Sequence, residues 1–144
     1  MGLFLLSTEP LEHLPPMEVP VSSGAVVSFW GRVRDRNEGR DVRALEYTTY
    51  DVLALKEGDR IMAEAVTRFG LEAARAVHRI GSLNLGEAAV VVEVATGHRA
   101  ESFEACRWII DRIKDRVPIW KREYYVEGEK EWVTCRHAPI TTDS

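Results

Sequence analysis

Residues 99–126, RAESFEACRWIIDRIKDRVPIWKREYYV, hold a helix, its stop and a strand in one run. Phe103, Cys106, Ile110, Ile113 and Val117 recur at steps of three and four, the period of one helix face. Pro118 offers no backbone N–H and restricts the residue before it, so a helix from about Arg99 to Val117 ends there. Beyond it, Ile119 to Val126 is rich in aromatic and β-branched residues and predicts a strand, followed by a turn at Gly128 and a strand over Glu131–Thr134. Upstream, Ala73–Leu83 and Glu87–Ala95 read as two strands joined at Asn84-Leu85-Gly86. Asp51 opens a helix to about Phe69, with Leu55, Met62, Val66 and Phe69 on one face and Gly70 as its stop. Gly58 weakens that helix by about 1 kcal/mol relative to alanine. Strands are predicted at Gly24–Val33, Val42–Tyr50 and Leu3–Leu6. Asp35–Asp41 reads as a mobile loop, and the prolines of Glu9–Pro20 leave room for a short helix at most. The expected fold is α+β, a mainly antiparallel sheet with two principal helices, with residues 24–50 and 73–95 sharing that sheet.

The chain has 144 residues, which fits one domain spanning 1–144. At that size a core forms without disulfides or metal. Cys106 and Cys135 stand in no metal or redox spacing, so a reducing cytoplasm is expected. No apolar run is long enough to span a bilayer, and the start, Met1 to Ser7, lacks the basic segment of a secretory signal. A net charge of −4 argues against a general nucleic-acid binder. Charge is uneven, however. Five arginines fall within residues 32–43, and seven Lys and Arg against five acids fall within 97–123. Local basic clusters on an acidic chain suit a small anionic ligand.

Arg32, Arg34 and Arg36 alternate, so an extended backbone presents all three on one face. They gather an anion there, or they form a solvated strand end answered by Asp35, Glu38 and Asp41. Lys114 falls about 40° from Ile110 around the second helix, inside its apolar sector. It is a placed ammonium, or a lysine whose stem covers apolar surface while its head reaches water. Lys121 follows beyond Pro118, and alone it reads as an exposed strand lysine. Two ammoniums sharing a pocket lower each other's pKa, and desolvation adds to that. A free lysine titrates near about 10.4, so a shift of about three units makes a useful base at neutral pH. His98-Arg99 at a helix N-terminus suits an anion. His78-Arg79, within a strand, receives no role. Cys106 reads as core. No phosphate loop, metal cluster or nucleophilic triad is present, so the chemistry falls to Lys, Arg and His, with no metal.

Over residues 24–136 the chain resembles the molybdopterin synthase large-subunit family. The marks are Phe29-x-Gly31-x-Val33-Arg34 with Gly39, Leu45-Glu46-Tyr47, His78-Arg79-x-Gly81 with Gly86-Glu87, and His98-Arg99. Phe103-Glu104-Ala105-Cys106, Lys114-x3-Pro118-Ile119-Trp120-Lys121-x-Glu123 and Trp132-Val133 complete them. The resemblance implies an α/β hammerhead fold and sulfur transfer that installs the dithiolene of molybdopterin on cyclic pyranopterin monophosphate. It implies a small ubiquitin-like sulfur-carrier subunit whose Gly-Gly C-terminus is a thiocarboxylate, and a homodimer of large subunits within a heterotetramer. It implies Lys114 and Lys121 as catalytic residues, Arg34, His98, Arg99 and Arg136 as substrate-binding residues, and no cofactor. A non-catalytic module that binds an anionic protein tail or a phosphorylated metabolite is the alternative; it needs the arginines but not both lysines. The exposed apolar surface expected for such a homodimer lies in residues 24–50 and at Trp108.

Overall fold

The computed structural model describes residues 2–126 and the backbone of residues 130–134. In chain order the elements are β1 (Gly2–Ser7), a 3₁₀ turn (Leu11–His13), β2 (Ala25–Arg32), β3 (Arg36–Asn37), β4 (Arg40–Thr49), α1 (Asp51–Phe69), β5 (Ala73–Arg79), β6 (Gly81–Asn84), β7 (Ala88–Thr96), α2 (Arg99–Arg116), β8 (Ile119–Tyr125) and β9 (Lys130–Thr134). The α+β class, the predominance of antiparallel pairing and the two helices agree with the sequence reading. The turn expected at Gly128, together with Cys135 and Arg136, lies outside the described residues.

The strands form two sheets, not the single one expected for residues 24–50 and 73–95. The first runs β1-β5-β7-β2, and the second runs β3-β4-β8-β9 with β6 also on β4. Within the first sheet β1 lies parallel to β5, while β5–β7 and β7–β2 are antiparallel. The division arises because residues 73–83 are two strands. The Ile80 N–H bonds the Ser7 carbonyl, and Gly81 takes a φ of 96°, which side-chain-bearing residues rarely adopt. The chain turns that corner and pairs Gly81–Asn84 with Ala44–Tyr47 of β4. Alternation continues on both sides of the corner, so periodicity alone does not reveal it.

Both helices cover one face of the first sheet, α1 over β1 and β5 and α2 over β2 and β7, and they pack on each other. Their buried lines differ from the expected ones. α1 buries Ala54, Gly58, Ile61, Met62 and Ala65, leaving Leu55 exposed. α2 buries Ser102, Ala105, Cys106, Ile109 and Ile113, while Phe103 faces outward. Small residues mark these contact lines because the helices lie close to their neighbours. A Cβ at Gly58 would overlap the Phe4 ring. Gly70 caps α1 by donating its N–H to the Val66 carbonyl.

Two further expectations change. The segment 35–41 is a tight hairpin, with Arg36 opposite Asp41 and Asn37 opposite Arg40. It is fixed by Asn37, which is buried and donates from Nδ2 to Glu123 Oε2 at 2.7 Å. Trp108 is half-buried, edge-on to Phe69 at 5.9 Å, with the Arg112 guanidinium 5.1 Å from its ring.

Candidate active site

Strand β8 alternates strictly. Ile119, Lys121, Glu123 and Tyr125 point inward, while Trp120, Arg122 and Tyr124 are half-exposed. Lys121 lies opposite Tyr47 and Glu123 opposite Leu45, so these inner residues share a wall with the buried face of β4. The Lys121 side chain is 0% exposed, which overturns the reading of an exposed strand lysine. Trp120 and Tyr124 are as apolar as Ile119 and Tyr125, and charged residues fall on both faces, so the sequence carries no signal for the phase of this strand. Lys121 Nζ lies 3.4 Å from Glu123 Oε2. The same carboxylate accepts from Asn37 Nδ2 at 2.7 Å and from the Tyr125 hydroxyl at 2.6 Å. A buried ammonium is tolerated where a carboxylate with further donors answers it.

Lys114 stands in the last turn of α2, where the helix dipole favours a cation. It lines a narrow cleft together with Tyr47, His78, Val90, Ile110, Val117 and Ile119. Tyr47 belongs to the second sheet and His78 to the first, so the cleft lies where the two sheets meet under the end of α2. Tyr47 links the two lysines, since it lines the cleft beside Lys114 and is the cross-strand partner of Lys121.

His78 was given no role from sequence, yet it forms part of this cleft. It is buried, with Nδ1 2.7 Å from the Arg79 carbonyl and its ring edge-on to Tyr47 at 4.9 Å. A carbonyl only accepts, so Nδ1 carries the proton and Nε2 is the acceptor. Burial pushes its pKa down to about 4, the Arg79 hydrogen bond opposes this, and the Lys114 charge adds to it. The imidazole is therefore neutral at pH 7. The signal for His78 is again strand phase. It shares its face with Ala74 and Ala76, which meet the helices, while Arg79 points to the other side and donates from Nη2 to the Ser82 carbonyl at 3.1 Å.

Arg32, Arg34 and Arg36 line a second cleft with Asn37 and Glu123, behind the Lys121 wall. Arg36 is held by Asp41 at 2.7 Å, and Arg32 donates to the Gly86 carbonyl at 3.1 Å. The exposed Arg34 thus stands at the lysine end of the molecule. His98 and Arg99 do not. They open α2, about 22 Å along the helix from Lys114. A second ruler agrees, since β7 runs from Val90 beside Lys114 to Thr96 beside His98, about 20 Å. Cys106 is buried with Sγ 3.7 Å from the Val92 carbonyl, and burial raises its thiol to about 11, so it is no thiolate at neutral pH.

The fold and the cleft define an α+β domain with a lysine centre suited to an anionic substrate. The chain matches the family model described as MoaE protein over residues 7–116, a span that includes Lys114 and stops short of Lys121. It is 50% identical over 119 residues to the molybdopterin synthase catalytic subunit of Pyrococcus abyssi, covering 83% of this chain and 80% of that one. It is 45% identical over 128 residues to the subunit of the same name from Emericella nidulans, covering 89% of this chain and 64% of that longer one. The crystal structure of molybdopterin synthase from Staphylococcus aureus matches with a TM-score of 0.79 at 33% identity, over 88% of this chain and 93% of that one. The chain belongs to the molybdopterin synthase catalytic-subunit family, enzymes of molybdenum cofactor biosynthesis. No helix among the described residues is long and apolar enough to cross a membrane.

Proposed function

We propose that the chain transfers sulfur from the thiocarboxylated Gly-Gly C-terminus of a small ubiquitin-like subunit to cyclic pyranopterin monophosphate, forming the dithiolene of molybdopterin. The observation that carries this reading is Lys114 in its narrow cleft, with the Lys121–Glu123 pair in the adjoining wall. A narrow, largely apolar cleft ending at an ammonium admits a glycine tail, which has no side chains, and attracts its terminal anion. Lys114 is the accessible amine, so we assign it to the thiocarboxylate and to proton transfer during attack on the pterin side chain. Lys121, buried against Glu123, supplies fixed positive charge for the oxyanions that form.

Arg34 supports binding of the substrate phosphate, and Arg136 is proposed beside it from the family resemblance alone. His98 and Arg99 of one copy are too distant to serve their own Lys114. In the proposed homodimer they serve the cleft of the second copy. Support for the small partner comes from a solved complex of subunits 1 and 2 of the molybdopterin-converting factor from Helicobacter pylori, whose matching chain shares this fold at a TM-score of 0.65 and 20% identity. The proposed assembly is a heterotetramer around a dimer of this chain, each copy a single domain, working in the cytoplasm without a cofactor.

The test is single-turnover dithiolene formation under saturating thiocarboxylated partner. Lys114→Ala and Lys121→Ala should each lower the rate by about 10² or more. Lys114→Arg should not rescue, since a guanidinium holds its proton. Near-normal rates in both alanine variants would leave the chain a tail-binding module.

A further inference from the structure

The hairpin of residues 36–41 turns through Glu38 and Gly39, whose φ values of 50° and 81° fill the two left-handed positions of such a turn. Asparagine is favoured at those positions, and Asn37 occupies neither, so the turn does not require it. Asn37 is nevertheless buried, while Arg36 and Glu38 on either side are exposed. Its Nδ2 donates to Glu123 Oε2 at 2.7 Å, and its Oδ1 is buried with no hydrogen-bond partner among the described residues. An unpaired buried amide oxygen destabilises a fold, so the bond to Glu123 is what offsets it and explains the residue. That bond completes the hold on the carboxylate. Glu123 Oε1 accepts from the Tyr125 hydroxyl at 2.6 Å, while Oε2 accepts from Asn37 and lies 3.4 Å from Lys121 Nζ. Arg40, the cross-strand partner of Asn37, sets its guanidinium 3.5 Å from the centre of the Tyr125 ring. The hairpin thus bears on both donors, and a carboxylate with one donor at each oxygen has a fixed plane.

We infer that Asn37 is a positioning residue of the lysine centre: its Nδ2 bond holds the Glu123 carboxylate in one orientation and, through that carboxylate, holds the Lys121 ammonium in place. Fixed charge stabilises a developing oxyanion best when it does not have to move during the reaction. The hairpin keeps its own shape without Asn37, because Arg36 donates to Asp41 Oδ1 at 2.7 Å and to the Gly39 carbonyl at 3.1 Å. Arg34, just before it, therefore keeps its place when the Asn37 bond is lost, and the effect falls on Lys121. The consequence for the rate rests on the function proposed above; the hold on Lys121 does not.

Two readouts separate these. The first is the exchange of the Lys121 ammonium protons with water, followed by NMR of ¹⁵N-labelled lysines in the full chain and assigned by its loss in Lys121→Met. Asn37→Leu keeps the volume and removes the donor, and should speed that exchange about tenfold. Asn37→His, whose Nδ1–H stands where Nδ2 stood, should recover at least half of the change. Asn37→Ala serves as the donor-free variant if the leucine does not give a cooperative melt. The second readout is single-turnover dithiolene formation, which should slow about tenfold in the donor-free variant while half-saturation by substrate stays within about twofold. In a Lys121→Ala background the same substitution should slow the reaction by less than about twofold, since the group it positions is gone. Unchanged ammonium exchange in a folded donor-free variant overturns the inference. So does equal loss in folded leucine and histidine variants, which would assign the effect to shape, and so does a rate loss that adds in full to that of Lys121→Ala. Faster exchange in a chain that makes no dithiolene even as wild type upholds the inference and removes the functional proposal instead.

Discussion

Burial holds His78 at a pKa of about 4 in the folded chain, whereas an unfolded histidine titrates near about 6.5. Between those values the unfolded state binds more protons. The group's contribution is therefore full above pH of about 6.5 and is lost as pH falls toward 4, about 3 kcal/mol across the window. Urea unfolding at pH 7.5, 6 and 5 should show this slope in the wild type and a shallower one in His78→Gln; equal slopes would contradict the buried neutral imidazole. Glu123 offers a second test. Glu123→Gln keeps one acceptor oxygen, for Asn37, turns its amide NH2 to the Tyr125 hydroxyl, and removes the negative charge beside the buried Lys121 ammonium, which should cost up to about 3–5 kcal/mol. Adding Lys121→Met should return much of that stability in the double variant, measured by denaturation. Lys114 was legible in the sequence because helical period places a residue by angle. Lys121 and His78 were not, because a strand flanked by apolar residues on both faces does not reveal which face is inside.

Small residues decide how α1 and α2 seat, and a reading built on large apolar residues looks past them. Gly58 is the sharpest case. Helix propensity alone makes Gly58→Ala a gain of about 1 kcal/mol. The Phe4 ring occupies the space the new methyl needs, and overpacking a core costs about 1–3 kcal/mol, so the variant should melt lower than wild type. A higher melting temperature would mean that Phe4 can move aside. The segments 35–41 and 73–83 were misjudged for a related reason. Polar composition suggested mobility where Asn37 is anchored by a carboxylate distant in sequence. Continuous alternation suggested one strand where Gly81 turns a corner.

Across the whole molecule, the face of the first sheet turned away from the helices carries Leu3 (52% exposed) and Leu5 (41%) on β1, and Val26 (53%) and Trp30 (44%) on β2. The 3₁₀ turn at Leu11 covers the middle of that face, over Val77 and Val91. Trp108, expected to add apolar surface, is instead taken up by Phe69. We expect a dimer at micromolar concentration in sedimentation, and a shift toward monomer in Trp30→Glu. If His98 and Arg99 serve the second copy's cleft, turnover should fall with the dimer; a fully active monomer would exclude that arrangement. Fold class and helix positions were legible because period and proline are local signals. The division into two sheets was not, because pairing partners are chosen by the whole chain.

The corner at Gly81 has a bearing on how this enzyme tolerates change. One wall of the cleft is carried by each sheet and a third by the end of α2, so the tilt of one sheet against the other changes the gap without any change in the lining side chains. Laboratory evolution toward a bulkier ligand in the cleft is then expected to gather its substitutions around residues 80–86, remote in chemistry from both lysines, while the lining itself stays nearly constant.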